Sequence, residues 1–183
     1  AKEYYEKAIK INPSYADVYN NLGCVFSHTA NTQKAKKCFE KAIKINPNNS
    51  LAYWNLHGCT SNIDEALSLI KKSYMIDKKY KKNTDANFMI SALEGYKGNF
   101  NPFNELLNST NADHRFTRSI KWVFSLPKLP KIFFNRWSFF DAIVALADNS
   151  RPFYEFGVWY GVSFKYLINT FKKGFGFDTF SGL

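Results

Sequence analysis

The apolar positions of the first eighty residues keep a helical period. Tyr19, Leu22 and Phe26 recur at i, i+3 and i+7, and Ala35, Phe39 and Ala42 at i, i+4 and i+7. Each set therefore lies along one side of an α-helix. Pro13 and Pro47 close helices, because the pyrrolidine ring and the missing N–H forbid continuation. The pattern also repeats. AKEYYEKAIKINP starts at Ala1 and AKKCFEKAIKINP at Ala35, 34 residues apart. The same offset carries Tyr5 to Phe39, Ala8 to Ala42, Tyr19 to Tyr53 and Leu22 to Leu56. A third copy, IDEALSLIKKSYMID, is expected to be shorter by three residues in the turn between its helices, with Ala66 and Ile70 in the roles of Ala35 and Phe39.

This period and these residue types resemble the tetratricopeptide repeat. Tyr19, Leu22, Gly23, Phe26, Ala35, Phe39, Ala42 and Pro47 match its signature over one full repeat. The resemblance implies paired antiparallel helices stacked into an α-solenoid with an inner groove for a protein or peptide. The next repeat departs from the pattern, with His57 where Gly23 stood and Lys78 where a proline is expected, so the array is expected to span residues 1–82. Asn21 and Asn55 share one register on the groove-lining helices. In some tetratricopeptide proteins an asparagine ladder there holds the backbone of a bound peptide, which makes Asn21 and Asn55 the candidate partner-binding residues. An ordinary polar groove position is the alternative.

Residues 83–150 lose the period and read as a helical connector. A helix is expected from Asn87 to Tyr96, closed by Lys97-Gly98-Asn99. Pro102 can start a short helix through Leu107, and Asp113 can cap another running to Phe124. Pro127 and Pro130 force an extended link. Trp137, Phe140, Val144 and Ala147 then give a helical stripe from Arg136 to Asp148. The aromatic load, from Trp122 and Phe124 through Phe133, Phe134, Trp137, Phe139 and Phe140, predicts packing onto the sheet of a following domain.

The last stretch, residues 151–183, carries the chemistry. Phe153 to Val158 reads as a strand, Gly157 to Gly161 as a tight turn, Ser163 to Phe171 as a helix ended by Lys172-Lys173-Gly174, and Phe175 to Asp178 as a second strand. A strand–helix–strand unit has parallel strands and a right-handed crossover, and its ligand crevice lies beyond the carboxyl ends of those strands. A phosphate-binding loop needs a Lys-Ser/Thr pair, which this turn lacks. A dinucleotide fingerprint needs three glycines, whereas only Gly157 and Gly161 are present, with Trp159 and Tyr160 between them.

EFGVWYGVS followed by GFDTFSGL resembles the first two cofactor motifs of class I S-adenosylmethionine-dependent methyltransferases. The likeness is to the macrocin O-methyltransferase-like family and covers the last 48 residues, with Arg136-Trp137-Ser138 and Arg151-Pro152-Phe153 as a similar lead-in. The resemblance implies S-adenosyl-L-methionine as cofactor. It places Glu155, Gly157, Val158, Gly161, Ser163 and Asp178 around it, Glu155 at its amino-acid end and Asp178 on the ribose hydroxyls. The alternatives are a strand-end charge for Glu155 and a simple helix cap for Ser163. Catalytic residues, and any divalent metal the reaction uses, would come from chain outside this stretch. The methyl acceptor would be a small molecule or sugar.

The expected architecture is mainly α: a tetratricopeptide α-solenoid, a helical connector, and the first βαβ unit of a Rossmann-like methyltransferase domain. Both ends read as cut, Ala1 inside a repeat and Leu183 after a second strand, so these 183 residues alone are not expected to transfer methyl groups. A repeat scaffold without catalysis is the competing reading, and a different Rossmann-like enzyme a third. The net charge of +10 comes mostly from lysines spread along helices, which reads as a solvated surface and not as nucleic-acid recognition. Cys24, Cys38 and Cys59 have no metal-ligand spacing, and His28 and His57 are isolated, so no metal site is expected. The apolar stretch Ile132 to Ala147 is broken by Asn135, Arg136 and Asp141, so no membrane span is expected. With no signal peptide in view, the expected location is cytoplasmic.

Overall fold

The structure is a computed structural model that describes residues 1–77, 84–156 and 161–178. It is mainly helical. Among the described residues the order is α1 (Lys2–Ile11), α2 (Ala16–His28), α3 (Thr32–Ile45), α4 (Ser50–His57), α5 (Ile63–Asp77), α6 (Thr84–Tyr96), α7 (Asn101–Leu107), α8 (Arg115–Phe124), α9 (Arg136–Leu146), β1 (Phe153–Phe156), α10 (Val162–Phe171) and β2 (Gly174–Phe177). The chain divides into two compact units, Ala1–Phe134 and Asn135–Leu183.

In the first unit α2 pairs with α3 and α4 with α5. Phe39 of α3 is 2% exposed and sits with Ala35 and Leu56, flanked by Cys24, Phe26 and Cys59. Glycine at position 23 makes this possible. A Cβ there would lie 2.5 Å from Cε1 of Phe39, closer than any packed atoms can come. The small residues Ala35 and Ala42, both fully buried, serve the same close approach from α3.

The second pair departs from the first in a way the sequence period located differently. The missing three residues come out of α4, which has 8 residues against 13 in α2, and the turn at residues 58–62 is the longer one. Gly58 ends α4, its N–H bonding the Asn55 carbonyl. Asn62 then starts α5 by accepting from the Glu65 N–H at 2.9 Å, and the Thr60 hydroxyl donates to the Glu65 carboxylate at 2.5 Å.

His57 takes the place of the close-packing glycine. Its Nδ1–H donates to the Trp54 carbonyl, and its ring meets Trp54 and Phe134 edge-on at 4.9 and 6.2 Å. Burial pushes the His57 pKa below its ordinary 6.5, against a smaller opposite pull from the Trp54 carbonyl.

The expected end of the array at Lys82 lies outside the described residues. Packing nevertheless runs on: Ala86 and Leu93 of α6 share one core with Leu67 and Ile70 of α5. α8 closes onto this stack. Phe124 reaches Phe100 and Phe103, ring centroids 5.2 Å away in each case, and His114, not Asp113, caps the helix by accepting from the Phe116 N–H. The expectation that these aromatics cover a sheet is therefore corrected for Phe124 and Phe134, which pack on helices and on His57. A helix can bury a ring as fully as a sheet can, and spacing alone does not say which.

In the second unit β1 and β2 pair in parallel, Phe153 with Gly174 and Phe156 with Phe177, and α10 runs between them in sequence. Two four-residue strands are the whole sheet among the described residues, too little to identify a Rossmann-like layer. Phe153 packs against Phe164 and Phe171 of α10 at 4.9 and 5.4 Å. Tyr166 of α10 donates to Asp141 of α9 at 2.5 Å, and the carboxylate pushes the phenol up to about 12. Lys172, not glycine, takes the left-handed position that ends α10, and Gly174 instead opens β2.

Two measurements check this account. Gly23→Ala should destabilise the protein by about 1–3 kcal/mol through overpacking, less about 1 kcal/mol regained in helix propensity. Gly58→Ala, where a Cβ meets only two carbonyl oxygens at 3.4 and 3.5 Å, should change the thermal midpoint little. The depressed His57 pKa gives a second outcome. The unfolded chain binds the proton more readily, so this contribution is intact above about pH 6.5, falls as the pH drops through that value, and levels off below the folded-state pKa. Denaturant melts between pH 7.5 and 5 should show a slope that His57→Gln reduces.

Candidate functional site

The groove-side candidates lie on α2 and α4. Two asparagine links join these helices. Asn49, itself buried, accepts from the Ala52 N–H at 3.0 Å as the N-cap of α4, and its amide donates to Asp17 of α2 at 3.0 Å. Farther along, the Asn55 amide donates to the Asn20 side-chain oxygen at 2.9 Å and reaches Cys24 Sγ at 3.4 Å. Asn20 is 6% exposed. Asn55 is half-buried, and Asn21 is exposed.

The 34-residue register makes Asn55 the equivalent of Asn21, and the hydrogen bond of Asn55 goes to the residue before it, Asn20. Asn20 and Asn49 were missed by the sequence reading. The signal that could have found Asn20 is its place with Ala16 and Gly23 at i, i+4 and i+7, on one buried side of α2. Asn55 thus has its amide committed to α2, through Asn20 and Cys24, and Asn21 keeps its side chain toward solvent.

A tetratricopeptide repeat model matches residues 16–49, and a second tetratricopeptide repeat model matches residues 1–15. Residues 1–49 are tetratricopeptide repeats. Repeats of this kind form protein-interaction modules, so the α2 and α3 pair belongs to such a module. No curated protein matches the chain.

The second candidate site stands at the carboxyl end of β1. Alternation along the strand sends Phe153 and Glu155 toward α10 and Tyr154 and Phe156 to the other face. Ser163, in the first turn of α10, donates its hydroxyl to Glu155 Oε1. Glu155 Oε2 is buried and has no partner among the described residues. A buried carboxylate oxygen left without a donor costs free energy, and such atoms are kept where a ligand or water supplies the donor.

Gly161 precedes α10 with φ +68°, the left-handed conformation that glycine adopts without a Cβ penalty. Ser163 is not the cap. It sits one residue inside the helix, and its hydroxyl serves Glu155. Asp178 directly follows β2, and the parallel register puts the ends of both strands on one side of the pair. Gly157 and Val158 lie outside the described residues. The structure thus brings Glu155 and Ser163 into contact and sets Gly161 at the start of the same helix.

The opposite face of the pair is aromatic. Tyr154 stacks on Phe175 at 5.4 Å, and Phe156 on Phe177 at 5.1 Å, all four exposed. Among the described residues no group of three or more acidic, His or Cys side chains could hold a metal ion, and no helix is long and apolar enough to cross a membrane. The cysteines are free thiols, half-buried, and burial raises their pKa, that of Cys59 to about 11, so they are poor nucleophiles at neutral pH.

The asparagine link makes a clear prediction. Asn55→Ala strands the buried Asn20 oxygen and should cost about 1–3 kcal/mol. Asn21→Ala should stay within about 0.5 kcal/mol, as for exposed positions generally. Paired urea melts at constant m-value measure both.

Proposed function

We propose that the protein joins a tetratricopeptide module, which holds a protein or peptide in the groove beside α2 and α4, to an adenosyl-cofactor site of a class I methyltransferase at β1, α10 and β2. The observation that carries the second half is the carboxylate of Glu155. It stands one residue before the end of β1, which pairs in parallel with β2. One oxygen is bonded to Ser163, and the other is buried and unpartnered among the described residues.

S-adenosylmethionine fits that environment. Its amino-acid end carries an ammonium, the kind of donor an orphaned carboxylate oxygen needs. Glu155 would hold that end, and Ser163 would fix the rotamer of Glu155. Gly161, with Gly157 and Val158 before it, would let the loop backbone approach the cofactor closely. Asp178, at the matching strand end, would accept from the ribose hydroxyls. When bound, the cofactor supplies an electrophilic methyl group on a sulfonium, for transfer to an oxygen of a small molecule or sugar. The contribution of these residues is binding and orientation, which accounts for much of the rate in a reaction of this type. The motif pair Glu155 to Ser163 and Gly176 to Leu183 gives further support.

A second reading keeps only the binding module. It is favoured by the sheet itself, whose two described strands leave an aromatic face open to solvent. Calorimetric titration of the complete protein with S-adenosylhomocysteine separates the two. One-to-one binding is expected, weakened about tenfold or more by Glu155→Gln and by Asp178→Asn, which is at least about 1.4 kcal/mol in each case. Absence of heat from folded protein leaves the scaffold reading alone.

A further inference from the structure

The outer side of α8 serves neither site. The inner side of this helix is committed to the core: Thr117 is fully buried, and Phe124 fills the space beside Gly95 and Phe103. The outer side carries Arg115, Arg118 and Trp122 at i, i+3 and i+7, one continuous stripe of about 10 Å along the helix axis. All three are exposed, Trp122 at 64%. Lys121 of the same helix is exposed as well.

The helix sequence RFTRSIKWVF contains no carboxylate, so none of these cations has an i,i+4 partner. Among the described residues no ion pair reaches Arg115, Arg118 or Lys121. The Arg115 guanidinium rests 4.9 Å from the Phe116 ring centroid. Arg115 also stands in the first turn, where the helix dipole disfavours a cation. The charge therefore does not help the helix, and helix stability cannot explain it.

We infer that this stripe docks an acidic segment of a protein partner, its carboxylates on Arg115 and Arg118 and an apolar side chain on the Trp122 indole. Guanidinium groups grip carboxylates with two parallel hydrogen bonds. Exposed Trp and Arg side by side are the residue types that carry interface hot spots. The stripe is short enough for a few residues of a peptide. A nucleic-acid strand takes a longer basic groove with several stacking rings, and only one ring is offered here. A membrane surface takes a continuous apolar helix face, and that of α8 is already buried in the core. The inference is independent of the adenosyl site.

The test is fluorescence anisotropy on the full chain with a labelled eight-residue glutamate peptide carrying one central leucine. Saturable binding is expected, with a blue shift of tryptophan emission that Trp122→Phe removes. The double variant Arg115→Glu/Arg118→Glu should bind the peptide at least tenfold more weakly and gain affinity for a lysine peptide of equal length. Because all three side chains are exposed, circular dichroism of the variants should match the parent. The inference is overturned by no saturable binding, by an affinity the double reversal does not move, or by a thymidine octamer or phosphatidylserine vesicles binding more tightly than the glutamate peptide.

Discussion

Phe39 is the point on which the described repeat packing depends. Its ring occupies space that α2 leaves free because residue 23 has no side chain, and Ala35 lets α3 come close enough to deliver it. Close-packed interiors tolerate little change of volume, so this contact sets the distance between the two helices. Leu56 of α4 joins the same cluster, and the spacing of the helix pairs is set there. The polar links Asp17–Asn49 and Asn20–Asn55 then hold α2 and α4 at that spacing.

Most of this was legible in the sequence, because a 34-residue repeat records inter-helix packing as residue size. Gly23, Ala35, Phe39 and Ala42 announce a small–large fit wherever they fall on helices. The α4 and α5 pair was legible in kind but not in detail. The period showed that three residues were missing, yet helix-terminating signals near Gly58, not a repeat count, decide where α4 stops. At position 57 the small residue is absent, and the His57 ring turns instead to Trp54 and Phe134. Phe134 belongs to a segment that no repeat pattern describes. The Asn20–Asn55 bond went unread for a related reason. Register gives equivalent positions, whereas a hydrogen bond links whichever side chains the helix crossing brings together.

The second unit was legible in its strands and its helix. Both strands and the helix were expected within a residue or two of their described bounds. What the pattern could not give was the role of Ser163. A serine at a helix start reads as a cap, but its hydroxyl satisfies Glu155 instead, because strand alternation aims that carboxylate at the first turn of α10. The helix start is set by Gly161, whose left-handed backbone turns the chain.

The aromatic face of that small sheet has a further effect. Tyr154, Phe156, Phe175 and Phe177 make a flat row of rings, and each strand pairs only with the other among the described residues, so both outer edges offer backbone groups for pairing. A flat apolar row between open edges is the surface on which separate chains add strand to strand. For this protein, then, self-association should rise with concentration ahead of any loss of helix.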